Sequence, residues 1–268
     1  MEINRSNIME IVKKSNAFPD KDYGQNFLVE PDVCKRIVDS LNIEPEDEVL
    51  EIGPGLGSLT HFLDEQSKRL TVIDIDERMV AFLKLVYPDV NIVLNDIRKE
   101  KIDKFTKIIG NLPYNITTET IVYIMLNATI TQQVVLMVQS DAFPHFFDTS
   151  GKEYGPVSVL IHLLGNSRKL FQVKPGSFYP SPKCGSTVFS IEIERKYEIE
   201  EVKSVYLFSK ALFLNRRKTI YNNLSTYLGN KEKTMFLLEQ CQIKQNDRPE
   251  DISPNKYLEL YRLMINNK

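Results

Sequence analysis

Seven residues, Glu51-Ile52-Gly53-Pro54-Gly55-Leu56-Gly57, constrain the fold of this 268-residue chain more than any others. Glu48–Ile52 reads as a short strand and Ser58–Gln66 as a helix. The three glycines between them predict a sharp turn where backbone can approach a ligand with no Cβ in the way. The strand–helix rhythm then continues. Arg69–Ile75, Asn91–Leu94, Lys107–Ile109 and Gln133–Val138 are short and apolar, while Glu77–Val86 and Thr117–Leu126 are helical. Such alternation predicts an α/β fold, a mostly parallel, doubly wound sheet with helices on both faces. After about residue 165 the rhythm changes. Lys169–Val173 and Thr187–Glu194, separated by Pro175, Gly176, Pro180, Pro182 and Gly185, predict an antiparallel edge. From Val202 onward, Val205, Phe208 and Leu212, then Ile220, Leu224 and Leu228, recur at helical spacing. This predicts a boundary near residue 196, with a sheet domain over 1–196 and a small all-helical domain over 197–268.

A glycine turn of this kind is shared by dinucleotide enzymes and methyltransferases, so it is weak evidence alone. The acids sharpen it. Asp74 closes the second strand, where a carboxylate can accept both hydroxyls of a ribose. Asp96 closes the third, placed to accept from an adenine amino group. Glu51, beside the glycines, would repel a pyrophosphate but is compatible with a cationic sulfonium and ammonium. These features favour S-adenosylmethionine over NAD. Gly24-Gln25-Asn26-Phe27-Leu28 adds two amides able to hold the cofactor's carboxylate.

Asn111-Leu112-Pro113-Tyr114 closes the fourth strand, at the carboxyl edge where open α/β sheets bind ligands. An exocyclic base amine is a poor nucleophile because its lone pair is delocalised into the ring. The Asn111 amide oxygen and the carbonyl of Leu112 or Pro113 can accept its two hydrogens and align the lone pair on a methyl group. Tyr114 can stack on a flipped base. A protein amide as acceptor fits the same chemistry. Phe178-Tyr179-Pro180-Ser181-Pro182-Lys183 offers an opposite wall, an aromatic ring facing Tyr114 and Lys183 meeting a phosphate. Asn215-Arg216-Arg217-Lys218 reads as the start of a helix whose three bases contact phosphates.

Charge is unevenly spread. The net value of -2 combines 22 Lys/Arg against 29 Asp/Glu in residues 1–200 with 12 against 7 in residues 201–268. Arg168, Lys169, Lys174 and Lys183 form a further basic stretch without an acid. A basic module on an acidic core can hold phosphates locally. Cys34, Cys184 and Cys241 are odd in number and scattered, and none of the three histidines neighbours a cysteine, so neither a disulfide framework nor a metal site is expected. A reducing, cytoplasmic compartment is expected. Without 18 consecutive apolar residues or a signal-like N-terminus, neither a membrane span nor a signal peptide is expected.

Together these motifs resemble the ribosomal RNA adenine N6-dimethyltransferases. The likeness rests on the Gly24–Leu28, Glu51–Gly57 and Gly110–Asn115 motifs, Asp96, Phe178–Lys183 and Arg216-Arg217-Lys218, in family order. Tyr154-Gly155-Pro156 with Ser158-Val159 is closer to the small-subunit branch than to the antibiotic-resistance branch. The resemblance implies a Rossmann-like class I methyltransferase sheet and two successive methylations of adenosine N6 from S-adenosylmethionine. It also implies that Gln25, Asn26, Leu28 and Glu51 line the cofactor with Gly53, Gly55 and Gly57. Asp74 would hold the ribose and Asp96 meet the adenine amine, Ile75 and Ile97 would also bind the cofactor, and Asn111 would serve both cofactor and target. The implied partner is ribosomal RNA within an assembling small subunit, met by a monomer. Asp74 stands where the family usually has glutamate, and Ser140-Asp141 where it usually has Lys-Glu. Large-subunit adenine methylation, methylation of a non-RNA amine, and a non-catalytic assembly role are the alternatives.

Overall fold

The computed structural model describes residues 1–19, 25–113 and 116–267. Helix α1 (Ile8–Ser15) precedes a two-residue strand β1 (Phe27–Leu28) and α2 (Pro31–Asp39). The core then alternates β2 (Val49–Ile52), α3 (Thr60–Gln66), β3 (Leu70–Asp74), α4 (Glu77–Val86), β4 (Asn91–Leu94), β5 (Lys107–Asn111), α5 (Thr117–Asn127) and β6 (Gln133–Gln139). Helices α6 (Pro144–Phe147) and α7 (Pro156–Leu164) lead to β7 (Gly165–Val173), β8 (Phe178–Tyr179) and β9 (Ser186–Ile193). Helices α8 (Ile199–Phe213), α9 (Ile220–Leu228), α10 (Lys231–Gln240) and α11 (Pro254–Asn266) complete the chain.

Seven strands form one sheet in the order β4-β3-β2-β5-β6-β9-β7. β2 through β6 pair in parallel, and β9 returns antiparallel to β6, from Gln133↔Glu192 to Gln139↔Ser186. The expected mostly parallel sheet with an antiparallel edge is what the chain forms. Local chemistry sets the ends. Asp76 caps α4 by accepting from Arg78 N, and Met79, Val80 and Leu83 turn one face of that helix inward. Burial of such side chains stabilises by roughly 1.5–3 kcal/mol each.

The structure adds elements that sequence periodicity missed. Residues Phe27–Leu28 and Phe178–Tyr179 form a separate antiparallel ladder, Phe27 opposite Tyr179 and Leu28 opposite Phe178. Helix α7 is apolar nearly all round, with Ser158–Ile161, Leu163 and Leu164 buried, so it lacks the one-sided stripe that marks a surface helix.

The chain divides into two compact units, Met1–Asp141 with Arg168–Ile193, and Ala142–Ser167 with Glu194–Lys268. The helical unit therefore also takes in Ala142–Ser167, which sequence composition had placed with residues 1–196. The reason is packing: α7 rests against α8 and α11. Arg216 adds polar ties, donating from Nη2 to the carbonyls of Gly151 (3.1 Å) and Tyr154 (2.9 Å), and from Nε to Glu250 Oε2 (2.8 Å). Asn215–Lys218 form the turn between α8 and α9 rather than a helix start. Helix α9 begins at Ile220, capped by Thr219, whose Oγ1 accepts from Asn222 N.

Candidate active site

A cavity of about 270 Å³ opens at the carboxyl ends of β2, β3, β4 and β5. Gly53 and Gly55, at φ 66° and 55°, occupy the left-handed region and let the backbone double back beneath it. Phe27 closes one wall so tightly that a Cβ on Gly55 would lie 3.0 Å from its Cε1.

Of the expected cofactor residues, Gln25, Asn26, Leu28, Glu51, Gly53, Gly55, Asp74, Ile75, Asp96, Ile97 and Asn111 all line this cavity. Gly57 does not. At φ 91° it is pressed against α4, where a Cβ would meet Leu83 Cδ2 at 2.9 Å and Tyr87 Cε2 at 3.1 Å, so this close approach needs a glycine. Phe27, Ser58, Asn95 and Arg98 line the cavity and were missed. Phe27 sits inside the Gly24–Leu28 motif, and Arg98 follows Asp96 as Arg78 follows Asp76, so both signals were present.

The acids of the cavity differ in their surroundings. Glu51 is 1% exposed and accepts from Thr60 Oγ1 at 2.6 Å. Burial, opposed by that bond and reinforced by Asp74, pushes its carboxyl up to about 8. Asp74 receives Asp76 N on Oδ1 (2.9 Å) and Gly55 N on Oδ2 (3.2 Å), tying β3 to the glycine turn. Burial nonetheless pushes it up to about 6. Asp96 is held below the usual carboxylate range by its hydrogen bonds from the Arg98 side chain. Among the described lining residues, Arg98 is the only Lys or Arg, and it is paired with Asp96. This acceptor-rich, acid-lined wall fits a cationic sulfonium cofactor and opposes a pyrophosphate.

Asn111, Leu112 and Pro113 form the adjoining wall. Asn111 Nδ2 donates to the Asn26 carbonyl at 3.3 Å, which leaves Oδ1 as the acceptor end of the amide. Pro113 O already accepts from Thr117 Oγ1 (2.9 Å) and Ile116 N (3.3 Å). Leu112 N is bonded to Met137 O at 3.2 Å, and its carbonyl accepts no hydrogen bond among the described residues. Of the two carbonyls, that of Leu112 is the one left without a hydrogen bond among the described residues. Tyr114 lies outside the described residues.

Two expected RNA-facing residues, Phe178 and Arg216, need correction. Phe178 is 4% exposed and packs in the core with Leu28, Val173 and Val188, so its ring is not presented to a base. Pairing with Leu28 through the β1–β8 ladder draws it inward. Lys183 is exposed in the loop before β9 and is not part of the cavity wall. Arg216 is engaged by Glu250 and two carbonyls, whereas Arg217 and Lys218 are exposed.

A family model described as ribosomal RNA adenine dimethylase matches residues 18–266. The chain belongs to that family. Among its relatives, ribosomal RNA small subunit methyltransferase A of Malacoplasma penetrans is 37% identical over 94% of each chain. The protein of the same description in Fusobacterium nucleatum is 34% identical over 91% of this chain and 96% of its own. In fold, this family member resembles a dimethyladenosine transferase from Plasmodium falciparum, with TM-score 0.76 and 24% identity over 90% of this chain and 98% of the other. The 23S rRNA methyltransferase ErmE shares the fold at TM-score 0.67 and 21% identity, over 88% and 98%. No helix among the described residues is long and apolar enough to cross a membrane, and no described cluster of His, Cys, Asp and Glu is suited to a metal.

Proposed function

We propose that this chain transfers methyl groups from S-adenosylmethionine to the N6 amine of adenosine in small-subunit ribosomal RNA, giving N6,N6-dimethyladenosine. The observation that carries the reading is the pair of acceptors, Asn111 Oδ1 and Leu112 O, on the wall of an acid-lined cavity. When bound, the cofactor supplies an electrophilic methyl group. The chain's own residues do the rest. In the first transfer Asn111 and Leu112 each accept one hydrogen of the amine, and in the second the single N–H left is accepted by one of them. This draws the lone pair out of conjugation and spreads the charge that develops on nitrogen, whose proton then leaves to solvent. No strong base is required. Gln25, Asn26 and Glu51 bear on the amino-acid end of the cofactor, and Asp74 and Asp96 on its adenosine end.

The relatives named above support the small-subunit target. The acidic balance of residues 1–200 supports an RNA presented by an assembling particle, with weak grip on bare RNA. Labelled S-adenosylmethionine, incubated with unmodified small-subunit particles, bare small-subunit RNA and large-subunit RNA, tests this when the dimethyladenosines are mapped. Label confined to the large-subunit RNA would overturn the assignment.

The acids also predict a pH dependence. Glu51 and Asp74 carry folded values of about 8 and about 6, above their ordinary 4.5 and 3.8. Across that window the folded chain binds more protons than the unfolded one, so their contribution to stability is present at low pH and lost as pH rises through about 6 and then about 8. A cation bound beside them offsets the loss. The gain in melting temperature given by S-adenosylmethionine is expected to be larger at pH 8 than at pH 5.5, and to grow less for S-adenosylhomocysteine, which lacks the sulfonium charge. Melting curves at both pH values check this; an equal gain at each would remove the two acids from the cofactor's surroundings.

For RNA, replacing Arg217 and Lys218 with glutamine is expected to weaken binding across sequences and to shallow the salt slope by about one per lost phosphate contact. Arg216→Gln is expected instead to destabilise the helical unit, because it abandons Glu250 and two carbonyls. Filter binding at several salt concentrations, paired with melting curves, separates the two effects. An unchanged slope in the double variant would shift the RNA contact to the stretch Arg168–Lys183.

A further inference from the structure

Two aspartates at the ends of neighbouring parallel strands carry the same arginine clamp. After β3, Arg78 donates to Asp76 from its backbone N (3.0 Å) and Nε (2.9 Å) to Oδ1, and from Nη2 (2.6 Å) to Oδ2. After β4, Arg98 repeats the set on Asp96 at 3.0, 2.9 and 2.6 Å, with Nε also 3.2 Å from Oδ2. The clamps differ in what they face. Asp76 is buried away from the cavity wall and takes a further donor, Gln25 Nε2 at 2.9 Å. Asp96 and Arg98 both line the cavity.

Three carboxylates line that cavity, and among the described residues only Asp96 has a cationic partner. Glu51 is held by a hydroxyl and Asp74 by two backbone N–H groups. The distinction matters chemically. A carboxyl group free to protonate can donate as well as accept, and so tolerates an amine or a carbonyl opposite it. A carboxylate gripped by a guanidinium only accepts, in an orientation fixed by the planar fork. Oδ1 holds two donors, and Oδ2 holds Nη2 closely and Nε at a longer 3.2 Å, so the little acceptor capacity that remains lies on Oδ2.

We propose that Arg98 is a specificity-determining positioning residue, whose planar grip holds the Asp96 carboxylate in the orientation that admits a 6-amino purine in the bound cofactor and rejects a 6-oxo purine. This rests on the reading of the cavity as the S-adenosylmethionine site and deepens it. Arg78, bearing the same clamp off the cavity, is the internal control.

The test is calorimetric titration of the full chain with S-adenosylhomocysteine and with S-inosylhomocysteine, its 6-oxo analogue. The parent is expected to prefer the amino form at least about tenfold, since a hydrogen bond to a charged group is worth about 1.5–3 kcal/mol. Arg98→Gln keeps the backbone N–H that caps the turn and removes the fork; its preference is expected to fall within about threefold of unity. Arg98→Lys, which retains the charge without the fork, is expected to lose most of the preference too. Arg78→Gln should keep it. Melting curves confirm that each variant is folded, and Arg98→Lys carries the test if Arg98→Gln is not. A preference retained in the folded Arg98 variants, or lost equally in Arg78→Gln, overturns the proposal while leaving the cofactor reading intact. A parent that binds both equally overturns the proposal alone, and one that binds neither overturns the cofactor reading and the proposal with it.

Discussion

Asn111→Ala should lower the methylation rate by about 100-fold or more while leaving affinity for S-adenosylhomocysteine nearly intact. The loss follows from removing an oriented acceptor at the reacting centre, worth roughly 3 kcal/mol of transition-state stabilisation. The structure refines the expectation. Asn111 also donates from Nδ2 to the carbonyl of Asn26, so the alanine loosens one strut of the cavity wall besides deleting the acceptor. Asn111→Asp separates the two, because it keeps acceptors and loses the donor. Single-turnover rates beside calorimetric affinities give the answer, and an alanine variant within about threefold of the parent rate would show that Asn111 does not touch the amine.

Gly110→Ala is expected to lower folding stability by about 3 kcal/mol or more, through space and not backbone conformation. Gly110 pairs with Ile52 where β2 and β5 run side by side. A Cβ there would lie 2.8 Å from the Ile52 carbonyl oxygen, 3.2 Å from Leu112 Cδ2 and 3.3 Å from Ile52 Cβ. Leu112 can shift, but the carbonyl belongs to the ladder and moves only if the strands part. The same displacement would carry Asn111 with it, so activity should fall at temperatures where the variant remains folded. Urea unfolding measures the loss; a change below about 1 kcal/mol would mean that the two strands separate easily at this point.

The sheet and the cofactor cavity were legible because their determinants are local. Apolar strands ending in acids, and glycines where φ must be positive, state their structure in consecutive residues, and Asp74, Asp96 and Asn111 come together as the strand order requires. The features that escaped depend on distant partners. Phe178 reads as an exposed aromatic in a proline loop until Leu28, 150 residues earlier, pairs with it. Arg216 reads as one of three equivalent bases until Glu250 and the Gly151 and Tyr154 carbonyls claim it. Helix α7 hid because a segment buried on every side has no polar face to mark its period. Arg98 is a different case: its clamp is local, and only its place on the cavity wall gives it meaning.

The helical unit is interrupted in sequence, and this governs how the molecule can be taken apart. Ala142–Ser167 leaves the sheet after β6 and the chain returns for β7, β8 and β9 before α8 begins. No single cut yields both units whole. A chain ended after Ile193 would retain α7, with its buried Val159, Leu160 and Leu163, while losing α8 and α11, the helices it packs against. Those side chains would become an apolar patch of the kind that drives association between molecules. A clean dissection must instead remove two segments and bridge Asp141 to Arg168, and a gene fusion or domain exchange that respects only the C-terminal boundary inherits the orphaned helix.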